Sequence, residues 1–127
     1  MIHLDTSTLV ALPEWLRQDN TTVNRIINGE PAAACSIVWY EYSVGPLVDG
    51  EAEMARAFLQ GGITNVSEKD AELAAKLYNK AGRQRRFKTN VLIAACAMSA
   101  SAELVTRNLA DFEPFVEYGL RLIPAEL

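Results

Sequence analysis

Three carboxylates stand far apart in the sequence, each at a place where a strand or a helix is expected to open onto a common pocket. Asp5 ends the first apolar segment, Glu41 lies inside a helical stretch, and Asp111 follows a Thr-Arg-Asn triplet. Asn90 occupies a fourth position of this kind, directly before another apolar run. Carboxylate and amide oxygens at one sheet edge are ligands suited to Mg²⁺ or Mn²⁺. The residue types therefore predict a site for a hard divalent cation.

Such a cluster depends on a bound cation, because two carboxylates about 4 Å apart repel each other by roughly 4 kcal/mol at an effective dielectric constant near 20. A bound cation also activates water and offsets the charge of a phosphate group. Each acid has a structural interpretation as well: Asp5 is suited to capping a helix, and Asp111 to a turn. Glu41 is harder to explain as a solvated residue, because aromatic residues flank it on both sides.

Short apolar segments separated by helical stretches position these residues. The pattern predicts helices over Thr8 to Arg17, Gly50 to Leu59 and Val91 to Ser101, with Thr6 and Ser7 capping the first, and a long helix capped by Ser67. The apolar and aromatic run from Ile37 to Val48 predicts a further helix that ends near Gly45 and Pro46. Strands alternating with helices indicate a three-layer α/β/α domain with a mostly parallel sheet, here one domain over residues 1–127. In such sheets ligands bind beyond the carboxyl ends of the strands. The predicted strands are Met1–Asp5, Ala32–Ser36, Ile63–Val66, Glu103–Thr106 and Leu120–Ile123.

Composition narrows the class of protein. With 127 residues, half of them hydrophobic and 22% charged, the chain has the make-up of one globular domain. Its net charge of −4 means that any nucleic-acid binding depends on a local patch. Cys35 and Cys96 stand in apolar surroundings that favour buried free thiols, and His3 is expected to be packed within the first strand. We find no leader segment and no membrane span, and expect a cytoplasmic protein.

Half of the basic residues crowd into one short segment. It contains six of the twelve lysines and arginines and continues past Gly82, where the dipole of the preceding helix fades. We interpret it as a rim that contacts RNA phosphates, with a solvated helix end as the alternative. The residues are Lys76, Lys80, Arg83, Arg85, Arg86 and Lys88, of which Arg83, Arg85, Arg86 and Lys88 are the predicted RNA-binding residues.

The acid-bearing segments together resemble PIN-domain proteins of the VapC toxin type. The similar segments are MIHLDTS, VWYE, TNVLIAA and LVTRNLADF, which follow in order over nearly the whole chain. The resemblance implies an endoribonuclease that depends on Mg²⁺ or Mn²⁺ and forms a homodimer. It further implies a small antitoxin whose C-terminal tail enters the active-site groove, and contact with DNA only through that antitoxin.

By position, Asp5, Glu41 and Asp111 match the acids that the resemblance assigns to catalysis and metal binding. Asn90 takes the fourth catalytic and metal-binding position, where the family has aspartate, and Ser7 stands where asparagine is common. Supporting roles beside the metal fall to Thr6, Thr106 and Asn108.

Asn90 keeps the shape of aspartate and loses its charge, so we expect weaker metal binding and impaired activity. Two origins are open, an inactivating change in a toxic protein and natural divergence, and we favour the first. The alternative function is a catalytically inactive PIN-like scaffold that acts by binding antitoxin or RNA. An unrelated phosphoryl-transfer or receiver-like domain is disfavoured, because no second acid adjoins Asp5.

Overall fold

The computed structural model describes residues 1–125, and the strands within that range form one parallel sheet. The order of its five described strands is β3-β2-β1-β4-β5, with every neighbouring pair parallel. This sheet confirms the predicted fold class. The strands are β1 (Ile2–Leu4), β2 (Ala32–Cys35), β3 (Gly62–Thr64), β4 (Glu103–Thr106) and β5 (Arg121–Pro124).

Helices cover both faces of the sheet. The connections from β1 through β2 to β3 step toward one edge, whereas those from β3 through β4 to β5 step toward the other. Because such crossovers are right-handed, the two sets of connecting helices lie on opposite faces. Contacts between helices agree with this arrangement: the helix after β1 (Thr6–Trp15) packs on the one after β2 (Ser36–Val44), and the two helices between β3 and β4 (Glu68–Lys80 and Asn90–Ser99) pack on each other. The α-helices are α1 (Thr6–Trp15), α2 (Thr21–Ile27), α3 (Ser36–Val44), α4 (Glu51–Phe58), α5 (Glu68–Lys80) and α6 (Asn90–Ser99). Tighter 3₁₀ turns cover Arg85–Phe87, Leu109–Asp111 and Glu113–Tyr118.

The central strand β1 is buried, and the strand order of the sheet reverses next to it. β1 lies between β2 and β4, with Ile2 opposite Ala32 on one side and Glu103 on the other. Ile2 and Leu4 are both 0% exposed. The chain leaves β1 toward one edge and returns to β4 on the other side, so the strand order reverses between these two strands. Ligands of open α/β sheets bind in the crevice at such a reversal.

The start of α1 confirms the structural interpretation of Asp5 as a helix cap, whereas the prediction that Thr6 and Ser7 cap this helix is wrong. Asp5, rather than Thr6 and Ser7, is the N-cap residue, and its side chain accepts a hydrogen bond from the Thr8 N–H. The helix also continues through Pro13, which removes one backbone donor from its interior. Burial of Leu12 and Trp15 on the core side of the same turn stabilises the helix across that proline.

The predicted cap of α5 is confirmed. Ser67 accepts a hydrogen bond from the Asp70 N–H, and the Asp70 carboxylate accepts one from the Ser67 N–H, which completes a capping box. By contrast, Thr89 precedes α6 without a capping hydrogen bond from its side chain. No helix among residues 1–125 combines the length and the apolar character needed to cross a membrane.

Candidate active site

The four positions singled out from the sequence face one cavity at the reversal between β1 and β4. Its volume is about 170 Å³. The lining is mainly carboxylate, amide and hydroxyl groups, with two apolar side chains at its base. The lining residues are Asp5, Thr6, Ser7, Glu41, Asn90, Ile93, Asn108, Asp111 and Phe112.

Asp5 is the most constrained acid of this cavity. It is 3% exposed and directly follows β1. Its Oδ1 accepts hydrogen bonds from the Ser7 hydroxyl at 2.8 Å and from the Thr8 N–H at 2.9 Å. Its Oδ2 accepts one from the Thr106 hydroxyl at 2.5 Å. Three donors therefore hold the orientation of this carboxylate, and Oδ2 keeps a free lone pair.

Thr106 connects the ends of the two central strands. It is 0% exposed at the end of β4, and its hydroxyl oxygen also accepts a hydrogen bond from the Asn108 N–H at 2.9 Å. A second link runs from the Arg107 N–H to the Ser7 hydroxyl oxygen at 3.4 Å. The loop after β4 is thus tied to the start of α1, so residues separated by about a hundred positions keep a defined geometry.

Glu41 reaches the cavity from α3, which packs against α1. Its Oε1 accepts a hydrogen bond from the Thr6 hydroxyl at 2.5 Å. The side chain is half-buried, and the described residues provide no hydrogen bond to Oε2. One carboxylate oxygen of Glu41 is therefore fixed by Thr6 while the other remains available to a ligand.

Asn90 and Asp111 complete the wall on the solvent side. Asn90 is the first residue of α6, Asp111 ends the 3₁₀ turn after β4, and both are half-buried. Neither side chain forms a hydrogen bond to another residue within 1–125. The oxygens of both side chains are therefore fully available to a ligand, whereas three hydrogen bonds leave only part of the Asp5 carboxylate available.

The donor set fits a hard cation that keeps part of its hydration shell. Every polar group lining the cavity offers oxygen, which is the ligand type of Mg²⁺ and Mn²⁺. Across residues 1–125, however, no three carboxylate, imidazole or thiol groups converge closely enough to hold an ion between them. Mg²⁺ is commonly bound through one or two carboxylates together with several waters. The cavity matches that mode rather than a dry cage.

The predicted RNA-binding residues do not line this cavity. Arg83 donates a hydrogen bond to Asn79 and stacks on Tyr78, and Arg86 lies over the ring of Phe87. Arg85 is exposed in the 3₁₀ turn before α6. Lys88 lines a separate apolar groove between α5 and α6. The basic segment thus comes near the site only at its end, where the single residue Thr89 separates Lys88 from Asn90.

Some residues of the site escaped the sequence reasoning. Ser7 was predicted as a helix cap and as a departure from the family pattern, whereas its hydroxyl donates a hydrogen bond to the Asp5 carboxylate. Ile93 and Phe112 form the apolar part of the lining. Their signal was the spacing: Ile93 is nearly one helical turn after Asn90, and Phe112 adjoins Asp111.

The buried thiols and the histidine lie outside the cavity lining. Cys35 and Cys96 are both buried and unbridged, as predicted. A hydrogen bond with Cys96 lowers the pKa of Cys35 to about 7, and the same contact together with burial raises the pKa of Cys96. His3 is 2% exposed, and burial lowers its pKa, which favours the neutral form. The expectation of a packed His3 is confirmed.

Comparison with solved structures relates this architecture to toxin–antitoxin systems. A chain of a toxin–antitoxin complex from Klebsiella pneumoniae is 25% identical, with a TM-score of 0.64 over 88% of this chain and 90% of that one. A chain of VapBC2 from Rickettsia felis bound to a promoter DNA fragment is 22% identical, with a TM-score of 0.71 over 99% and 100%. A chain of DNA-bound VapBC from Salmonella typhimurium is 20% identical, with a TM-score of 0.69 over 97% and 96%.

No protein-family model and no curated relative matches the sequence. The similarity to the solved structures extends over most of the length of each chain. The chain therefore has the three-layer PIN-like fold of the VapBC and FitAB toxin–antitoxin structures, as its resemblance to VapC-type PIN-domain proteins predicted.

Proposed function

We propose that this chain is the toxin of a toxin–antitoxin pair and an endoribonuclease that hydrolyses RNA phosphodiester bonds with Mg²⁺ or Mn²⁺. The observation that carries the proposal is the meeting of Asp5, Glu41 and Asp111, from three distant segments, around one oxygen-lined cavity. The fold supports it, because solved toxin–antitoxin complexes have the same architecture. The partners that complete the proposal are a second copy of the chain and a small antitoxin, which supplies any contact with DNA.

In this function the acids have unequal tasks. Asp5, held by three donors, orients the site and offers the remaining lone pair of Oδ2. We assign to Oε2 of Glu41 the acceptance of a proton from the attacking water, because Thr6 already donates a hydrogen bond to Oε1. Asp111 and Asn90 bind from the solvent side. When bound, the metal ion supplies a Lewis acid that offsets the charge of the scissile phosphate.

Asn90 reduces the charge of the cavity by one unit relative to aspartate. Its amide oxygen is a weaker ligand for a cation than a carboxylate, and its amide nitrogen cannot bind one. The neutral side chain also lessens the repulsion among the acids when no metal is bound. We therefore propose that the chain as it stands is an impaired nuclease.

The experiment is the substitution Asn90→Asp, followed by cleavage of a labelled single-stranded RNA with and without Mg²⁺ or Mn²⁺. We expect metal-dependent cleavage that exceeds that of the parent protein. Asn65→Asp is the matched control, because it makes the same change in an exposed loop. Adding Asp111→Asn to the Asn90→Asp protein should abolish the gain, which shows that cleavage arises in this cavity and not from a contaminating nuclease.

A catalytically inactive scaffold is the second candidate. Two observations favour it: the amide at position 90, and the lack within residues 1–125 of three groups close enough to hold a metal ion directly. RNA binding without metal-dependent cleavage by the Asn90→Asp protein would select the scaffold and reject the nuclease. Equal cleavage by parent and Asn90→Asp would reject the role assigned to position 90.

A further inference from the structure

A second cavity adjoins the oxygen-lined one and shares a wall with it. Its volume is about 440 Å³, within the range of about 300–1,000 Å³ that is common for ligand pockets. Ser7 and Asn108 line both cavities. The remaining lining residues of the second cavity are Val10, Arg107 and Ala125. A ligand held at the acids therefore has room to continue into this second space.

Arg107 is the one lysine or arginine among residues 1–125 that lines either cavity. It is exposed and forms no ion pair, side-chain hydrogen bond or ring contact within that part of the chain. Most other arginines are occupied by carboxylates, carbonyl or amide oxygens, or aromatic rings. These are Arg25, Arg56, Arg83, Arg86 and Arg121.

The backbone holds Arg107 in place relative to the acids. Its N–H donates to the Ser7 hydroxyl oxygen, and that hydroxyl donates to the Asp5 carboxylate. On its other side, the Asn108 N–H donates to Thr106, which also donates to Asp5. The free guanidinium is thus attached to a loop whose position is set by the same carboxylate that orients the site.

The positive charge of Arg107 beside the three carboxylates indicates that the second cavity binds an anionic group. Three carboxylates in the first cavity and a net charge of −4 repel a polyanion, so a nucleic acid needs a local cation next to the acids. A guanidinium pairs well with phosphate oxygens. Val10, 58% exposed on α1, adds an apolar wall against which a sugar or base can rest.

From this geometry we propose that Arg107 binds the phosphate of the nucleotide next to the one at the acids, with Ser7, Val10 and Asn108 forming its subsite. The inference rests on the proposed function, since it names the substrate's second point of contact. It assigns the phosphate contact to Arg107, which lines the adjoining cavity, and not to the Arg83–Lys88 segment, which lines neither cavity. In this arrangement single-stranded RNA crosses the wall that the two cavities share.

The test measures binding of a short, labelled single-stranded RNA of mixed sequence to the parent protein in buffer containing Mg²⁺, by fluorescence anisotropy at several salt concentrations. Arg107→Ala should weaken binding about tenfold or more. It should also reduce the slope of log K against log salt by about 0.7, the share of one phosphate contact on a single strand. Arg107→Lys, which keeps the charge, should retain most of the slope.

Two further variants make the result specific. Val10→Asp adds a carboxylate to the lining of the second cavity, where it repels the phosphate, and should also weaken binding. Arg17→Ala removes one exposed positive charge away from both cavities and should leave affinity and slope unchanged.

Equal affinity and equal salt slope for the parent and Arg107→Ala would overturn the inference. If Asn90→Asp still cleaved RNA in a metal-dependent way, the proposed function would stand without this subsite. Absence of RNA binding by the parent protein, together with absence of cleavage by Asn90→Asp, would overturn both.

Discussion

Replacement of Thr106 by valine isolates the contribution of the hydroxyl group that joins β4 to Asp5. Thr106 is 0% exposed, donates to Asp5 at 2.5 Å and accepts from the Asn108 N–H at 2.9 Å. Valine has nearly the same shape and lacks the hydroxyl, so Thr106→Val removes both hydrogen bonds and leaves the packing unchanged. The variant thus measures how strongly the fold depends on the polar link at the cavity.

The magnitude follows from the two bonds. A hydrogen bond to a charged group stabilises a protein by about 1.5–3 kcal/mol and one between neutral groups by about 0.5–1.5 kcal/mol. We expect Thr106→Val to lower the free energy of unfolding by about 2–4 kcal/mol. Thr8→Val is the matched control, because Thr8 is also 0% exposed and donates a single bond to the neutral Val105 carbonyl at 2.9 Å. Thr8→Val should lower the free energy of unfolding by about 1 kcal/mol.

Urea denaturation of the parent and both variants, at neutral pH and with a chelator present, gives the comparison. The slope of the free energy against urea concentration should be the same for all three proteins, because the surface exposed on unfolding hardly changes. A loss in the free energy of unfolding for Thr106→Val no larger than that for Thr8→Val would refute the argument that the hydrogen-bonded Asp5 carboxylate organises the site.

Three further predictions concern the site and its supports. Asn90→Asp should gain more thermal stability from added Mn²⁺ than the parent, because a ligand of the folded state raises its stability; equal shifts in melting temperature would contradict the role of position 90. Ser67→Ala should lose about 1 kcal/mol in urea denaturation, since it breaks the capping box; an unchanged midpoint would show that the cap is dispensable. Burial raises the pKa of Asp70, but hydrogen bonds, chiefly from Ser67, outweigh it and lower the pKa overall. The resulting stability is present above about pH 4 and is lost as the pH falls through the lowered pKa. Urea denaturation at a series of pH values should therefore show that the free energy of unfolding falls less below about pH 4 for Asp70→Asn than for the parent.

The sequence predicts the framework of the site because its signals are local. Apolar segments that end at Asp5 and Thr106 predict two strand ends, and parallel strands must place those ends at one edge. The pairing of Ser67 with Asp70 three residues later predicts the start of α5 for the same reason. Glu41 stands out because burial among aromatic residues is unfavourable for a carboxylate without a partner.

Contacts between segments that are distant in the sequence could not be predicted from local sequence patterns. The choice of Asp5 over Thr6 as the cap of α1 depends on where β1 ends in space, and the patterns leave one or two residues of freedom there. Clustering of Arg83 and Arg86 in sequence gave no indication that Tyr78 and Phe87 hold their guanidinium groups. The exposure of Arg107 depends in the same way on the loop that Ser7 ties down.

Asp5 and Asn90 differ in how much of the architecture depends on them. Asp5 caps α1 and receives three hydrogen bonds, whereas the side chain of Asn90 has no hydrogen bond to the rest of residues 1–125. We therefore expect a substitution at Asp5 to lower the stability of the fold as well as to change the cavity. At position 90, by contrast, a substitution changes the charge of the cavity and leaves the hydrogen bonds around Asp5 in place.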